Sequence, residues 1–122
     1  MKNTIHKTAD NSKTLYSEMF DEHYHSVLGA ITESKHIFVK LGLSNFKNDT
    51  INILEIGFGT GLNAMLSYAE NKSLQNQIYY HGIDLYPPEF KIVSKLDYPD
   101  LINLNNSEFE SFCKDWDREI AV

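Results

Sequence analysis

Apolar and β-branched residues dominate Ile51 to Ile56, and this run predicts a strand buried on both faces, as in a parallel sheet. Three closely spaced glycines follow. Beyond them Leu62, Met65, Leu66 and Ala69 recur at helical spacing and predict an amphipathic helix. Asn71 to Asn76 is polar and reads as a loop, and Gln77 to Ile83 reads as a second strand ending at Asp84. Strand, glycine turn, helix and strand make a βαβ unit, whose crossover is expected to be right-handed.

The flanks are less regular. Thr4 to Thr8 and Thr14 to Ser17 are β-prone stretches around the turn-rich Ala9-Asp10-Asn11-Ser12, which predicts a hairpin. Phe20 to Ile31 has no clear period and reads as irregular or mixed. Thr32 is placed to cap a helix running to about Leu41, with Ile37, Phe38 and Leu41 sharing one face and Gly42 at a left-handed terminus. Ser44 to Thr50 reads as a polar connector. Pro87-Pro88 is expected to open a helix with Phe90, Val93 and Leu96 inward, broken at Tyr98-Pro99-Asp100. Ser107 and Glu110 have capping-box spacing, and Phe109, Phe112, Cys113 and Trp116 repeat at helical intervals.

Composition narrows the class. The 122 residues leave room for one domain, 42% of them are apolar and 23% charged, as in an ordinary globular chain. No apolar run reaches the roughly 18 residues that span a bilayer, so no membrane partner is expected. The single cysteine excludes an internal disulfide and suits a cytoplasmic location. A net charge of -6 argues against nucleic acid bound over the whole surface, but leaves room for a local basic groove.

The candidate chemistry lies in Glu55-Ile56-Gly57-Phe58-Gly59-Thr60-Gly61. Gly57 permits a sharp turn off the strand, Gly59 lets backbone approach a ligand, and Gly61 allows close packing where the helix begins. The helix N-terminus offers N–H groups and partial positive charge to an anionic group. A dinucleotide fingerprint wants its third glycine one position later, where Leu62 stands. Glu55 suits a ligand bearing an ammonium. Both details favour S-adenosylmethionine over NAD, with the methionine carboxylate at the helix terminus. Asp84, at the end of the second strand, is placed to accept hydrogen bonds from the two ribose hydroxyls.

Three separated blocks resemble the MnmC-type methyltransferase domain: Leu15 to Ser26 with Gly29 to Phe38, Leu54 to Ala64, and Ile83 to Pro87, the whole running from about Thr4 to Trp116. The resemblance implies a partial class I Rossmann-like α/β fold, with an N-terminal β-hairpin and helix before the βαβ unit. It implies methylation of the aminomethyl group at the 5-position of a tRNA wobble uridine, alone or beside an oxidase domain. It implies cofactor contacts from Glu55, Gly57, Phe58, Gly59, Thr60, Gly61, Asn63 and Asp84, with Tyr24, Ser26 and Glu33 of the first block lining the pocket. The family's pattern continues past the tryptophan into further strands and an Asp-Ala-Phe-Ala-Pro-like segment that this chain lacks, so no catalytic residue is assigned.

A doubly wound sheet usually has about five or more strands. Two strong ones are legible here, and the chain stops at Ala121-Val122 where another is due. The expectation is one truncated domain, with residues 1–50 an N-terminal extension and 51–122 the start of the core, inactive by itself. The alternative is a non-catalytic paralogue that binds a nucleoside or a partner. His23 and His25 have the spacing of two metal ligands on one strand face, but nothing completes a site and no metal is expected. Tyr79 and Tyr80 are expected to pack rather than stack on a base, and Cys113 to be a buried small hydrophobe.

Overall fold

The computed structural model describes residues 2–25 and 29–113, the side chains of 112 and 113 excepted. The chain is mixed α/β. Strands β1 (Asn3–Lys7) and β2 (Lys13–Ser17) form the expected antiparallel hairpin, and a two-residue strand β3 (Glu22–His23) pairs antiparallel with β2 inside the stretch expected to be irregular. Strands β4 (Thr50–Ile56) and β5 (Gln77–Ile83) pair in parallel across the helix α2 (Leu62–Leu74), so the βαβ unit stands as expected. Its helix is longer than the sequence indicates. Asn71 to Leu74, the start of the expected loop, continue α2, which stops at Gln75 with φ 57 in the left-handed region.

The hairpin turn is an organised polar cluster. Asp10 accepts hydrogen bonds from Thr8 Oγ1 at 2.8 Å, Ser12 N at 3.0 Å and the Ser12 hydroxyl. Its other oxygen accepts from Thr32 N at 2.9 Å and Thr32 Oγ1 at 2.8 Å. Asp10 therefore caps the next helix from a distance. That helix, α1 (Ala30–Ser34), starts before Thr32, because the cap comes from the hairpin and not from Thr32 itself.

The chain leaves α1 in a π-helical stretch, Lys35–Lys40, closed by Leu41 N to His36 O at 3.3 Å. The wider i→i+5 winding rotates the inner face away from the 3.6-residue prediction. Val39 and Ser34 are buried, while Ile37, Phe38 and Leu41 stand out to solvent. Gly42 has φ -114, so the left-handed terminus expected there does not form. A 3-10 turn, Leu43–Asn45, leads on to β4.

After β5 the two prolines stay outside the helix. α3 (Phe90–Val93) begins after Glu89 and tightens into a 3-10 turn, Ser94–Leu96. Val93 and Leu96 are buried as expected and Phe90 is half-buried. The break comes at Asp97, with φ 59. Tyr98 then opens a short helix α4 (Tyr98–Leu101), because Pro99 is tolerated in a first turn. In α5 (Asn106–Cys113) the capping box is Asn105 with Glu108, two residues before the predicted pair: Glu108 N donates to Asn105 Oδ1 at 2.9 Å and Asn105 N to Glu108 Oε1 at 3.2 Å. The expectations for Phe112 and Cys113 side chains and for Trp116 lie outside the described residues.

The core joins Leu15 of the hairpin, Ala30 and Val39, the inner face of α2 (Leu62, Met65 and Leu66) and the C-terminal helices through Val93, Leu96 and Tyr98. Ile51, Ile53, Glu55, Ile78 and Tyr80 are half-buried on one face of the parallel pair. The expectation of burial on both faces fails. On the opposite face Leu54 is 61% exposed, Ile56 81% and Ile83 51%, because nothing among the described residues covers that side. Among the described residues no helix is long and apolar enough to cross a membrane.

Candidate functional site at the glycine turn

The turn sits where the two parallel strands end. Gly57 N and Phe58 N both donate to Ile83 O, at 2.7 and 3.1 Å, so the end of β5 fixes how the chain leaves β4. Gly57, Gly59 and Gly61 all have positive φ, at 85, 55 and 77. At Gly59 the need for glycine is double. A side chain would be strained at that φ, and its Cβ would stand 3.0 Å from Tyr24 Cδ2. Gly59 N donates to Asp84 Oδ2 at 2.7 Å, and Tyr86 N to Asp84 Oδ1 at 2.9 Å. Each Asp84 oxygen thus accepts one backbone N–H and keeps acceptor capacity for another donor.

On the covered face of the sheet, Glu55 accepts from two side chains. Asn63 Nδ2 in the first turn of α2 lies 2.6 Å from Oε2, and the Tyr80 hydroxyl lies 2.9 Å from Oε1. Burial raises the Glu55 carboxyl above the ordinary carboxylate range, against the lowering effect of those two bonds and with a smaller push from the Asp84 charge. Burial, and then the nearby Glu55 charge, raise the Tyr80 hydroxyl well above its usual value. The ring of Phe58 stands 6.4 Å from that of Tyr80 at 76°. Phe58 also lies on Gly82, where any Cβ would collide with its ring. Asn63 is buried, and its Oδ1 has no hydrogen-bond partner.

The N-terminal block reaches the turn through two consecutive residues. Tyr24 packs on Gly59, and burial followed by the Asp84 charge raises its hydroxyl pKa. His25 Nε2 lies 3.1 Å from Thr60 Oγ1, and burial pushes this imidazole down to about 4, so it is neutral at pH 7. Thr60 is fully buried and also hydrogen-bonds the Tyr98 hydroxyl, which donates to Lys13 O at 2.6 Å and is pushed up to about 12 by burial. Of the other residues assigned to the first block, Glu33 is exposed in the first turn of α1, with no side-chain bond to the turn, and Ser26 lies outside the described residues.

The two histidines of the His-x-His pair diverge. His23 packs its ring against His6 and Tyr16 on the hairpin, with centroids 5.2 Å away in both cases, while His25 turns inward. Among the described residues no group of three or more His, Cys, Asp or Glu could hold a metal. Tyr79 is exposed, and its hydroxyl accepts from Gln77 Nε2 at 2.9 Å.

Sequence reasoning missed Tyr80, Gly82 and His25 as neighbours of the turn. Strand alternation carried a signal for the first two. Once β4 and β5 pair with Glu55 opposite Gly82, Glu55, Tyr80 and Gly82 must share one face.

Curated relatives match this stretch. A protein of Leptospira interrogans serogroup Icterohaemorrhagiae serovar copenhageni, named tRNA 5-methylaminomethyl-2-thiouridine biosynthesis bifunctional protein MnmC, is 33% identical over 96 residues. That match covers 72% of this chain and 15% of the relative. The chain is MnmC-like over part of its length. Proteins of the same name from Leptospira borgpetersenii serovar Hardjo-bovis and Burkholderia multivorans are 29% and 30% identical, over 84% and 61% of this chain and 17% and 12% of their own length. This MnmC-like chain therefore spans about a sixth or less of the curated relatives it matches. No protein-family model and no solved structure matches it.

Proposed function

We propose that the chain is the cofactor-binding front part of an S-adenosylmethionine-dependent methyltransferase domain with a class I Rossmann-like fold. Residues 1–50 form an extension that packs on the turn, and residues 51–122 begin the core. What supports the reading is one juxtaposition at the carboxyl ends of two parallel strands. The glycine turn opens α2 there, between the Glu55–Asn63 pair on one side and Asp84 on the other. Asn63 Oδ1, buried without a partner, fits a ligand that brings a donor.

In this reading the first-turn amides of α2 take the methionine carboxylate and Glu55 faces the ammonium. The free acceptor capacity of Asp84 meets the ribose hydroxyls, and Tyr24 and Phe58 bound the pocket. The cofactor, once held, supplies an electrophilic methyl group. The chain's own residues position it and exclude water. By its relation to the MnmC proteins, the full pathway role is tRNA wobble-uridine modification in the cytoplasm, converting 5-aminomethyl-2-thiouridine to 5-methylaminomethyl-2-thiouridine. An oxidase domain or protein would act beside it. A second reading is a non-catalytic module that binds a nucleoside or a partner, and the bare apolar face at Leu54, Ile56 and Ile83 favours it.

Calorimetric titration tests the cofactor assignment. S-adenosylhomocysteine should bind and NAD should not, and Gly59→Val should abolish binding. Asp84→Ala should weaken binding by roughly 1–3 kcal/mol, the scale for hydrogen bonds to a charged acceptor. Equal affinity of wild type and Gly59→Val would sink the assignment. Methyl transfer to bulk tRNA bearing the aminomethyl intermediate separates the two readings. The chain alone should show none, and a version continuing into the rest of an MnmC-like domain should restore it if the enzyme reading is right.

A further inference from the structure

A cavity of about 250 Å³ opens between the π-helical stretch, α2 and the end of α4, and no residue of the glycine turn lines it. Its floor is apolar: Val39, Leu66 and Ile102 are buried there, beside the half-buried Ala69. Leu66, Ala69 and Glu70 stand at i, i+3 and i+4, so one face of α2 supplies two floor residues and a negative charge. Lys35 supplies the opposite charge from the start of the π-helical stretch. Lys35 is exposed and Glu70 half-buried, which sets both charges toward the mouth. The small side chain of Ala69 leaves a gap that a larger residue would close. The two charges do not satisfy each other. Among the described residues the ion pairs are Lys13 with Asp97 and Lys72 with Glu108, so Lys35 and Glu70 line one cavity without bridging it.

A ligand with one charge meets a repulsion here. An aliphatic carboxylate or a phosphate suits Lys35 and is opposed by Glu70, and an aliphatic amine suits Glu70 and is opposed by Lys35. A neutral apolar molecule that closes the mouth strips water from both charges and gives nothing back. A zwitterion answers both charges, and an aliphatic side chain on it covers the floor. The volume restricts it to few atoms, since sites for drug-sized ligands run to roughly 300–1,000 Å³. We propose that this cavity is a second ligand site that takes a free α-amino acid with an aliphatic side chain. Its carboxylate meets Lys35, its ammonium meets Glu70, and its side chain lies on Val39, Leu66, Ala69 and Ile102. The site is independent of the cofactor reading above, because it rests on residues outside the glycine turn. Such a ligand ties the π-helical stretch to α2 and to the chain after α4, and stabilises the fold as it binds.

The test follows methyl and amide signals of the labelled protein at neutral pH during four titrations. The probes are leucine, 4-methylpentanoate, which lacks the amine, leucinamide, which lacks the carboxylate, and glycine, which lacks the side chain. Leucine should move the signals of Val39, Leu66 and Ala69 together, with a Kd on the order of 1 mM for a ligand of so few atoms. Each partial analogue should bind about tenfold more weakly or worse. Lys35→Glu and Glu70→Lys, taken singly, should each weaken leucine binding about tenfold or more, because both charges then have one sign. The double variant exchanges the two charges and should recover most of the affinity, because a zwitterion can turn round. Ala69→Met fills the floor and should abolish binding, with thermal melts showing that the variant folds. Leucine binding no tighter than its partial analogues overturns the zwitterion assignment, and so does a double variant no better than the single ones. No shifts at millimolar leucine, or shifts confined to Gly59 and Gly61, overturn the site itself.

Discussion

Asp10 and Glu55 are both carboxylates at turns that close a strand, and the protein treats them in opposite ways. Burial raises the pKa of each. At Asp10 hydrogen bonds from Ser12, the Thr32 backbone, the Thr32 hydroxyl and Thr8 outweigh that effect and hold the carboxyl well below its ordinary range. At Glu55 two donors fall short, and burial wins. The hairpin turn has filled its acceptors with its own chain and ties β2 to α1. The glycine turn has left acceptors open, one of them the orphaned Asn63 Oδ1. Fullness marks the first as architecture, and the deficit marks the second as a place for a ligand.

The contrast can be broken or sharpened by substitution. The largest expected effect is acid-dependent and starts at His25, which joins the hairpin to the glycine turn. Its folded pKa of about 4 lies below the ordinary 6.5. Stability is therefore full above pH 6.5 and is lost as pH falls toward 4, by on the order of 3 kcal/mol, since the unfolded chain takes the proton first. Urea titrations at a series of pH values should show that slope in wild type, and His25→Gln should flatten it. An identical slope in both would place the acid sensitivity elsewhere.

Next is Asp10→Ala, which strands the backbone donors of Ser12 and Thr32 and should cost about 2 kcal/mol of unfolding free energy. Because the Asp10 carboxyl is depressed, its contribution is present above its ordinary pKa of 3.8 and fades as pH falls below it. The variant should therefore lose part of the wild type's acid limb. If Asp10→Ala weakened ligand binding without altering stability, the division between the two turns would be wrong. The smallest effect is expected from Gly82→Ala. Its methyl displaces the Phe58 ring, at about 1 kcal/mol or somewhat more, and ligand binding should suffer as the brace on Tyr80 loosens. Chemical denaturation and calorimetry on the same sample would read both.

Much of this arrangement is legible in the sequence where a single local rule decides it. The strand Gln77 to Ile83 ends where the pattern places it, since Gln77 follows a helix stop and Asp84 begins the turn back. Leu62, Met65 and Leu66 face inward because an undistorted helix keeps its 3.6-residue period. Legibility fails where a distant residue takes over a local role. Asp10 caps a helix twenty residues on, so the start of α1 cannot be read from Thr32. The π-helical winding of Lys35–Lys40 turns Ile37, Phe38 and Leu41 outward, although their spacing suits an α-helix. The β-branched run of β4 cannot tell one covered face from two, because burial belongs to neighbours and not to the strand. At the site, the glycines and Asp84 announce themselves by spacing. Tyr80 becomes visible only after the strand register is known, and the approach of His25 to Thr60 is a tertiary contact that no local pattern encodes.

The claim that the glycine turn is the ligand-facing turn and the hairpin turn is structural is most directly tested by amide chemical shifts of the labelled protein during titration with S-adenosylhomocysteine. The backbone signals of Gly57, Gly59, Thr60 and Gly61 and the side-chain amide of Asn63 should move together and saturate, while Ser12 and Thr32 at the Asp10 cluster stay in place. Shifts confined to the hairpin, or none at saturating ligand, would contradict the account.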